Sequence, residues 1–334
     1  MVYRLDAGTV IDAEGNLVIE NLYTGSILNK TQAQGTVSGY ASGGTPPNNT
    51  SNIIEKYPFS TDANATDVGD LTQGRTNSSG SSSSASGYAA GGNVNPPYIP
   101  GVNTIDKFPF SVDGNATDVG DMSVGRYGAT GQSSTTHGYS SGGYGGTPHA
   151  IRDIIDKHSF SSDGNATDVG NLTEIIHSAT SQSSSTNGYR SGGSKSPQPT
   201  NTIDKFPFAV DGNATDVGDL LEINSSAGGN NSVDHGYVAG GARPASPSDP
   251  GTRNVIQKFP FSSDANSTDV GDLTALKKLN RSGTSSITSG YQTGGTPPPG
   301  GTNVIDKFPF AADANATDVG DMTTSRTVAS GQQV

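Results

Sequence analysis

NVIDKFPFAADANATDVGDM, residues 303–322, decides the fold, because the chain spells close variants of it six times. The other copies begin near Asn52, Asn103, Asp153, Asn201 and Asn254. Their first turn aspartates are Asp62, Asp113, Asp163, Asp211, Asp264 and Asp313, spaced 48 to 53 residues apart. A Gly-Tyr-x-x-Gly-Gly mark accompanies each copy, with its tyrosine at Tyr40, Tyr88, Tyr139, Tyr189, Tyr237 or Tyr291. A recurrence near 50 residues makes each copy one supersecondary unit that buries its apolar face against its neighbours.

Within a unit the residues read as four short strands. The first is small and polar, as in Ala129-Thr130-Gly131-Gln132-Ser133-Ser134, and the second carries the tyrosine. A Pro- and Gly-rich loop of variable length leads to the third, Thr104-Ile105-Asp106-Lys107-Phe108-Pro109-Phe110. Period-two alternation there places Ile105, Lys107 and Pro109 on one face and Asp106, Phe108 and Phe110 on the other. An Asp/Asn turn then leads to the fourth strand, Asp118 to Met122. No segment keeps a helical period, and Gly and Pro interrupt the chain every few residues. The interior proline (Pro58, Pro109, Pro207, Pro260, Pro309; Ser159 in the third copy) belongs near an edge or bulge. Six units of four antiparallel strands predict an all-β, six-bladed β-propeller, whose radial closure protects strand edges. The C-terminus, Arg326 to Val334, holds only the beginning of a further unit, so it is expected to complete the first blade. The alternative donor of that strand is Gln32 to Thr36.

Residues 1–31 stand outside the repeat, which occupies 32–334. Thr9-Val10-Ile11 and Leu17-Val18-Ile19 around Glu14-Gly15-Asn16 predict a β-hairpin, continued by the apolar Asn21 to Leu28. A lone hairpin is marginal in water, so the segment is either an attachment or oligomerisation element or a flap on the propeller's own edge.

A net charge of −12 with only 19 Lys and Arg argues against nucleic acid and against anionic membranes as partners. No apolar run approaches the roughly 18 residues of a membrane span, and MVYRLDAGTV lacks a secretory signal pattern. Synthesis in a cytoplasm is therefore expected, with exit by lysis, by assembly into a particle or by an unusual export route. Without cysteine there is no disulfide or thiolate chemistry. Apolar content of 30% and a mean hydropathy of −0.48 would suggest disorder, were the apolar residues not gathered at periodic positions.

An arginine, a small-residue strand, Tyr-x-x-Gly-Gly, a variable loop, an apolar strand and a turn form the order of a kelch repeat. The kelch tryptophan is missing, with Val119 or Met122 near its place. The strings KFPF, DANATDVGDL, GQSS and GYxxGG more closely resemble kelch-like repeat proteins of marine bacteriophages, cyanophages among them, over roughly residues 32 to 334. The resemblance implies a virion-associated propeller in a tail fibre or other appendage, without catalytic residues. Expected partners are then other virion proteins, reached through residues 1–31, and a host-surface glycan or protein. The alternative is a cellular or secreted glycan-binding propeller, a lectin or adhesin.

Each remaining motif has two readings. Asp62, Asn64 and Asp67 lie in an Asp-x-Asn-x-Thr-Asp string that suits Ca2+, yet it lacks the glycine and bidentate glutamate of a calcium loop. A self-capping β-turn is the preferred reading. Asn64-Ala65-Thr66 also spells a glycosylation sequon, a coincidence of turn chemistry when no signal peptide is present. Arg75, Arg126, Arg281 and Arg326 recur just past the DVGD aspartates and are expected to clamp blades by pairing with Asp70, Asp121, Asp272 and Asp321. His177 and Asn224 stand near the arginine's place in two copies, which predicts two defective clamps. The variable loops after Gly-Gly share one end of the blades, a common place for binding residues. Tyr98, Tyr144, His149 and Arg243 are the candidates there, against the reading of these loops as solvated linkers.

Overall fold

A computed structural model describes residues 3–5, 9–11, 17–19, 34–47, 49–94, 101–247, 249, 251–279, 282–297 and 301–334. The chain divides into two compact units, Met1–Lys30 and Thr31–Val334. In the first, Thr9–Ile11 and Leu17–Ile19 pair antiparallel as the hairpin reading expects. A strand the sequence reading missed, Tyr3–Leu5, adds to Thr9–Ile11 and makes a three-stranded sheet. Asn21 to Leu28 lie outside the described residues.

In the larger unit every named strand pair is antiparallel and the described residues contain no helix. Six four-stranded sheets follow one another. Sheet one is Ser330–Gln333, Ser38–Ser42, Ile53–Pro58 and Thr66–Asp70. Sheet two is Ser79–Ser82, Ser86–Ala90, Thr104–Pro109 and Thr117–Asp121; sheet three is Thr130–Ser133, His137–Ser141, Ile154–Ser159 and Thr167–Asn171. Sheet four is Thr180–Ser183, Asn187–Ser191, Thr202–Pro207 and Thr215–Asp219; sheet five is Gly228–Asn231, His235–Ala242, Thr252–Pro260 and Thr268–Lys277. Sheet six is Gly283–Ser285, Ser289–Thr293, Val304–Pro309 and Thr317–Asp321. The first strand of sheet one is thus the C-terminal one, with Gln332 opposite Tyr40, and not Gln32 to Thr36. Of that alternative segment, Gly35 instead bridges Ser286.

Each sheet is buried on both faces, so alternation sends one strand's side chains into two cores. Ile105 packs with Tyr88, Met122 and Ala166 of sheets two and three, while Phe108 packs with Tyr40, Ile54 and Leu71 of sheet one. Each repeat tyrosine lies over the aromatic residue that follows the third strand of the next sheet. The six pairs, from Tyr40–Phe110 round to Tyr291–Phe59, have ring centroids 4.8–5.0 Å apart. Aromatic pairs of this kind add about 0.5–1.5 kcal/mol beyond their buried area.

Three further circuits run through the six sheets and return to their start. Amides of the first strands donate in turn from Ser82 to Ser133, Ser183, Asn231, Ser285, Gln333 and back to the Ser82 hydroxyl. Each bond satisfies one N–H of a strand edge that a free sheet would leave open. At the other edge, Asp70 N–H donates to Asn115 Oδ1 at 3.0 Å, and five equivalent bonds end with Asp321 N–H to Asn64. Gly69 makes that approach feasible: its φ is +155°, and a Cβ would lie 2.3 Å from the Gly114 carbonyl oxygen. Third, Lys56 pairs with Asp113 at 3.0 Å, and five equivalent pairs at 2.5–2.8 Å end with Lys307 and Asp62. The bond to its aspartate holds each of Lys56, Lys107 and Lys307 above the ordinary lysine value. The whole pattern is β-propeller-like.

The arginine clamps exist, but their partners differ from the expected ones. Arg75 pairs with Asp106, Arg126 with Asp156 at 2.8 Å, and Arg326 with Glu55 at 2.9 Å, every group buried. These acids lie on the third strand of the following sheet. The DVGD aspartates lie on the strand the chain has just left. By the time it reaches the arginine it has crossed to the next sheet, so the guanidinium meets that sheet's third strand. The linker also binds the acid directly: Ser123 donates its N–H and hydroxyl to Asp156. In the third repeat Ile176, not His177, fills the arginine's place, its N–H bonding Arg152 O as Arg126 N–H bonds Val102 O. That clamp is not defective, because Arg190 from the second strand of sheet four pairs with Asp204 instead. Lys277 pairs with Asp306 at 2.6 Å, and Arg281 lies outside the described residues. Only at Asn224 is the charge absent, and there the acid too is replaced by a neutral residue, Gln257.

His158 occupies a site that Tyr57, Phe108, Phe206, Phe259 and Phe308 fill elsewhere. Burial, with help from nearby His137, pushes its imidazole down to about 4 from 6.5. Between those values the unfolded chain binds a proton that the fold refuses, so stability falls as pH drops through that window and is unaffected above it. The full effect is about 3 kcal/mol. His158→Phe is expected to flatten this loss, read as melting temperature from pH 7.5 to 4. Parallel profiles for the two proteins would contradict it.

Candidate binding site

The second-to-third-strand loops and the linkers between sheets meet at one end of the sheets, where one backbone bridge recurs. It joins Thr45 to Thr327, Thr76 to Asn93, His177 to Ser194, Ser225 to Ala242, and Lys278 to Thr296. In sheet three the equivalent pair is Tyr127 and Tyr144, and there the bridge grows into a small sheet of Arg126–Tyr127, Tyr144–Gly145 and Ala150–Ile151. Arg152 fastens this hairpin from inside, donating Nε to Gly145 O at 3.1 Å and Nη2 to Pro148 O at 2.7 Å.

The hairpin gathers aromatic rings. Tyr144 lies 5.5 Å from Tyr127, 6.4 Å from His149 and 6.4 Å from His177, centroid to centroid, with the His149 ring within 14° of parallel. His149 is exposed, while Tyr127, Tyr144 and His177 are half-buried. Tyr144 and His149, both candidates from the variable loop, come together in the structure. Tyr127 and His177, not among the sequence candidates, join them. The signal was available: both follow directly on the arginine position, where other copies carry Thr76, Ser225, Lys278 or Thr327.

The other candidates are elsewhere. Arg243 is held in a network with Glu222 and Asp249, joined by Arg253 to the same two acids, a separate ionic cluster on sheet five. Lys195 and Glu174 form a smaller pair at the corresponding place on sheet four. Tyr98 lies outside the described residues. The oxygens of the turn residues point to three different partners. Asp62 binds Lys307 at 2.8 Å, Asn64 accepts from Asp321 N–H at 3.0 Å, and Asp67 accepts from Gly69 N–H at 3.2 Å. A cation at Asp62 would compete with Lys307 for the same carboxylate. The repeat tyrosines serve packing, and burial pushes the phenols of Tyr139, Tyr189 and Tyr237 up to about 12.

No family model matches the chain, and a search of curated proteins finds no match.

Proposed function

We propose that the six sheets are the blades of a closed, six-bladed, kelch-like β-propeller, and that the protein is a non-enzymatic virion component. Its loop end presents a binding face to a host surface or to another virion protein, and residues 1–31 attach it to its neighbours. The observation that carries the binding-face reading is where the repeats depart from one another. Linkers of sheets one, two and six read Gln73-Gly74-Arg75, Val124-Gly125-Arg126 and Thr324-Ser325-Arg326. Those of sheets three, four and five read Glu174-Ile175-Ile176, Glu222-Ile223-Asn224 and Ala275-Leu276-Lys277, beside the aromatic hairpin and the two ionic clusters. A rigid scaffold whose irregular linkers, among the described residues, gather on adjacent sheets at one end is an arrangement suited to recognition. Support for a non-enzymatic role is that the turn aspartates recur in all six repeats and pair with lysines, while the buried acids of five sheets pair with arginine or lysine. The virion assignment rests on the resemblance of the repeated strings to marine phage proteins.

Mass spectrometry of purified phage particles from the source sample tests it. Recovery at a fixed stoichiometry with the other particle proteins is the expected result. Recovery from cell envelopes and not from particles would replace it with the cellular lectin or adhesin reading.

A further inference from the structure

We propose that the aromatic hairpin of sheet three binds a neutral saccharide, with a pyranose ring packed on Tyr144 and His149. The inference rests on the reading of this end as a binding face, and it names the ligand class that face takes. Among the described residues, only the Tyr127–Tyr144 bridge, of six equivalents, is aromatic on both sides. A repeat that serves packing alone gives no reason for that exception. The Tyr127 and Tyr144 pair and the near-parallel His149 ring make an apolar surface with polar tips, the shape and chemistry of a pyranose's C–H face with its equatorial hydroxyls. His177 closes one side at 6.4 Å from Tyr144.

Charge selects a neutral ligand. Arg152 is committed to Gly145 and Pro148 carbonyls, and Lys195 to Glu174, so neither cation is offered to an anion. The net charge of −12 opposes acidic polysaccharides and nucleic acid in the same way. The hairpin is held by its own ladder and by Arg152, so little ordering opposes binding.

The full chain is titrated with cellohexaose, maltohexaose, chitohexaose and galactohexaose, read by saturation transfer to the sugar ring protons. Transfer to at least one of the four is expected. Affinity should fall about tenfold in Tyr144→Ala and in His149→Ala, and persist in Tyr144→Phe, which keeps the ring. If Tyr144→Ala melts early, His149→Ala at the exposed tip carries the test. Transfer to none of the four, or undiminished affinity in His149→Ala, overturns the inference. Particle recovery is indifferent to sugar binding, so the broader reading stands or falls on that separate result.

Discussion

Deleting Arg326–Val334 is expected to abolish the cooperative unfolding of the larger unit at ordinary temperatures, although it removes only nine of the 334 residues. The segment does three things at once. Ser330–Gln333 supplies the strand against Ser38–Ser42, so its loss bares a strand edge in the first sheet. Val334 O accepts N–H groups of Thr36, Val37 and Ser38, and Gln332 Nε2 reaches Tyr88 O on sheet two at 3.0 Å. Arg326 is the partner of Glu55, which has no exposure to water. A buried charge stripped of its partner alone costs about 3–5 kcal/mol. Whole domains are stable by only about 5–15 kcal/mol. Strand loss and core exposure come on top of the charge, so the sum exceeds the reserve. Calorimetry of the truncated chain checks this. A transition within about 2 °C of the full-length chain would show that the C-terminal strand is dispensable.

That strand illustrates what a sequence of this kind discloses. The four strands, their order and the C-terminal completion follow from period-two alternation repeated six times, because repetition separates constrained positions from free ones. The arginine partners do not follow. Sequence spacing put Arg126 next to Asp121, whereas the fold carries the linker across to the next sheet before the side chain is placed, and Asp156 receives it. The same limitation hid Arg190, whose position on a second strand looks like a variable residue until Asp204 is seen opposite. Lys195 and Arg243 raise a related point. Both occupy the second position after Gly-Gly, yet each is absorbed into ion pairs that no local motif announces. The aromatic site was half legible: Tyr144 and His149 stand out in a variable loop, but Tyr127 and His177 arrive from linkers, Tyr127 through its bridge to Tyr144 and His177 from the linker to the following sheet, where its ring meets Tyr144.

The second large effect is expected from the buried clamp between sheets. Asp156→Ala should destabilise the larger unit by about 3–5 kcal/mol, because it leaves the fully buried Arg126 guanidinium without its counter-charge. Arg126 keeps bonds to the carbonyls of Gly142 at 2.7 Å and Ser140 at 2.9 Å, which hold the cation in place and prevent escape to solvent. The Ser123 N–H and hydroxyl lose their acceptor in the same step. Sheet five shows how the protein manages without the charges: Asn224 donates to Gly240 O, and Gln257 accepts from Leu221 N–H. Copying that solution, the double substitution Arg126→Asn with Asp156→Gln should recover most of the loss, since neither residue then carries a buried charge. Urea denaturation of wild type, Arg126→Asn, Asp156→Gln and the double variant makes the comparison as a cycle. A double variant as unstable as the sum of its parts would mean that the pair matters for its shape and packing rather than for mutual neutralisation.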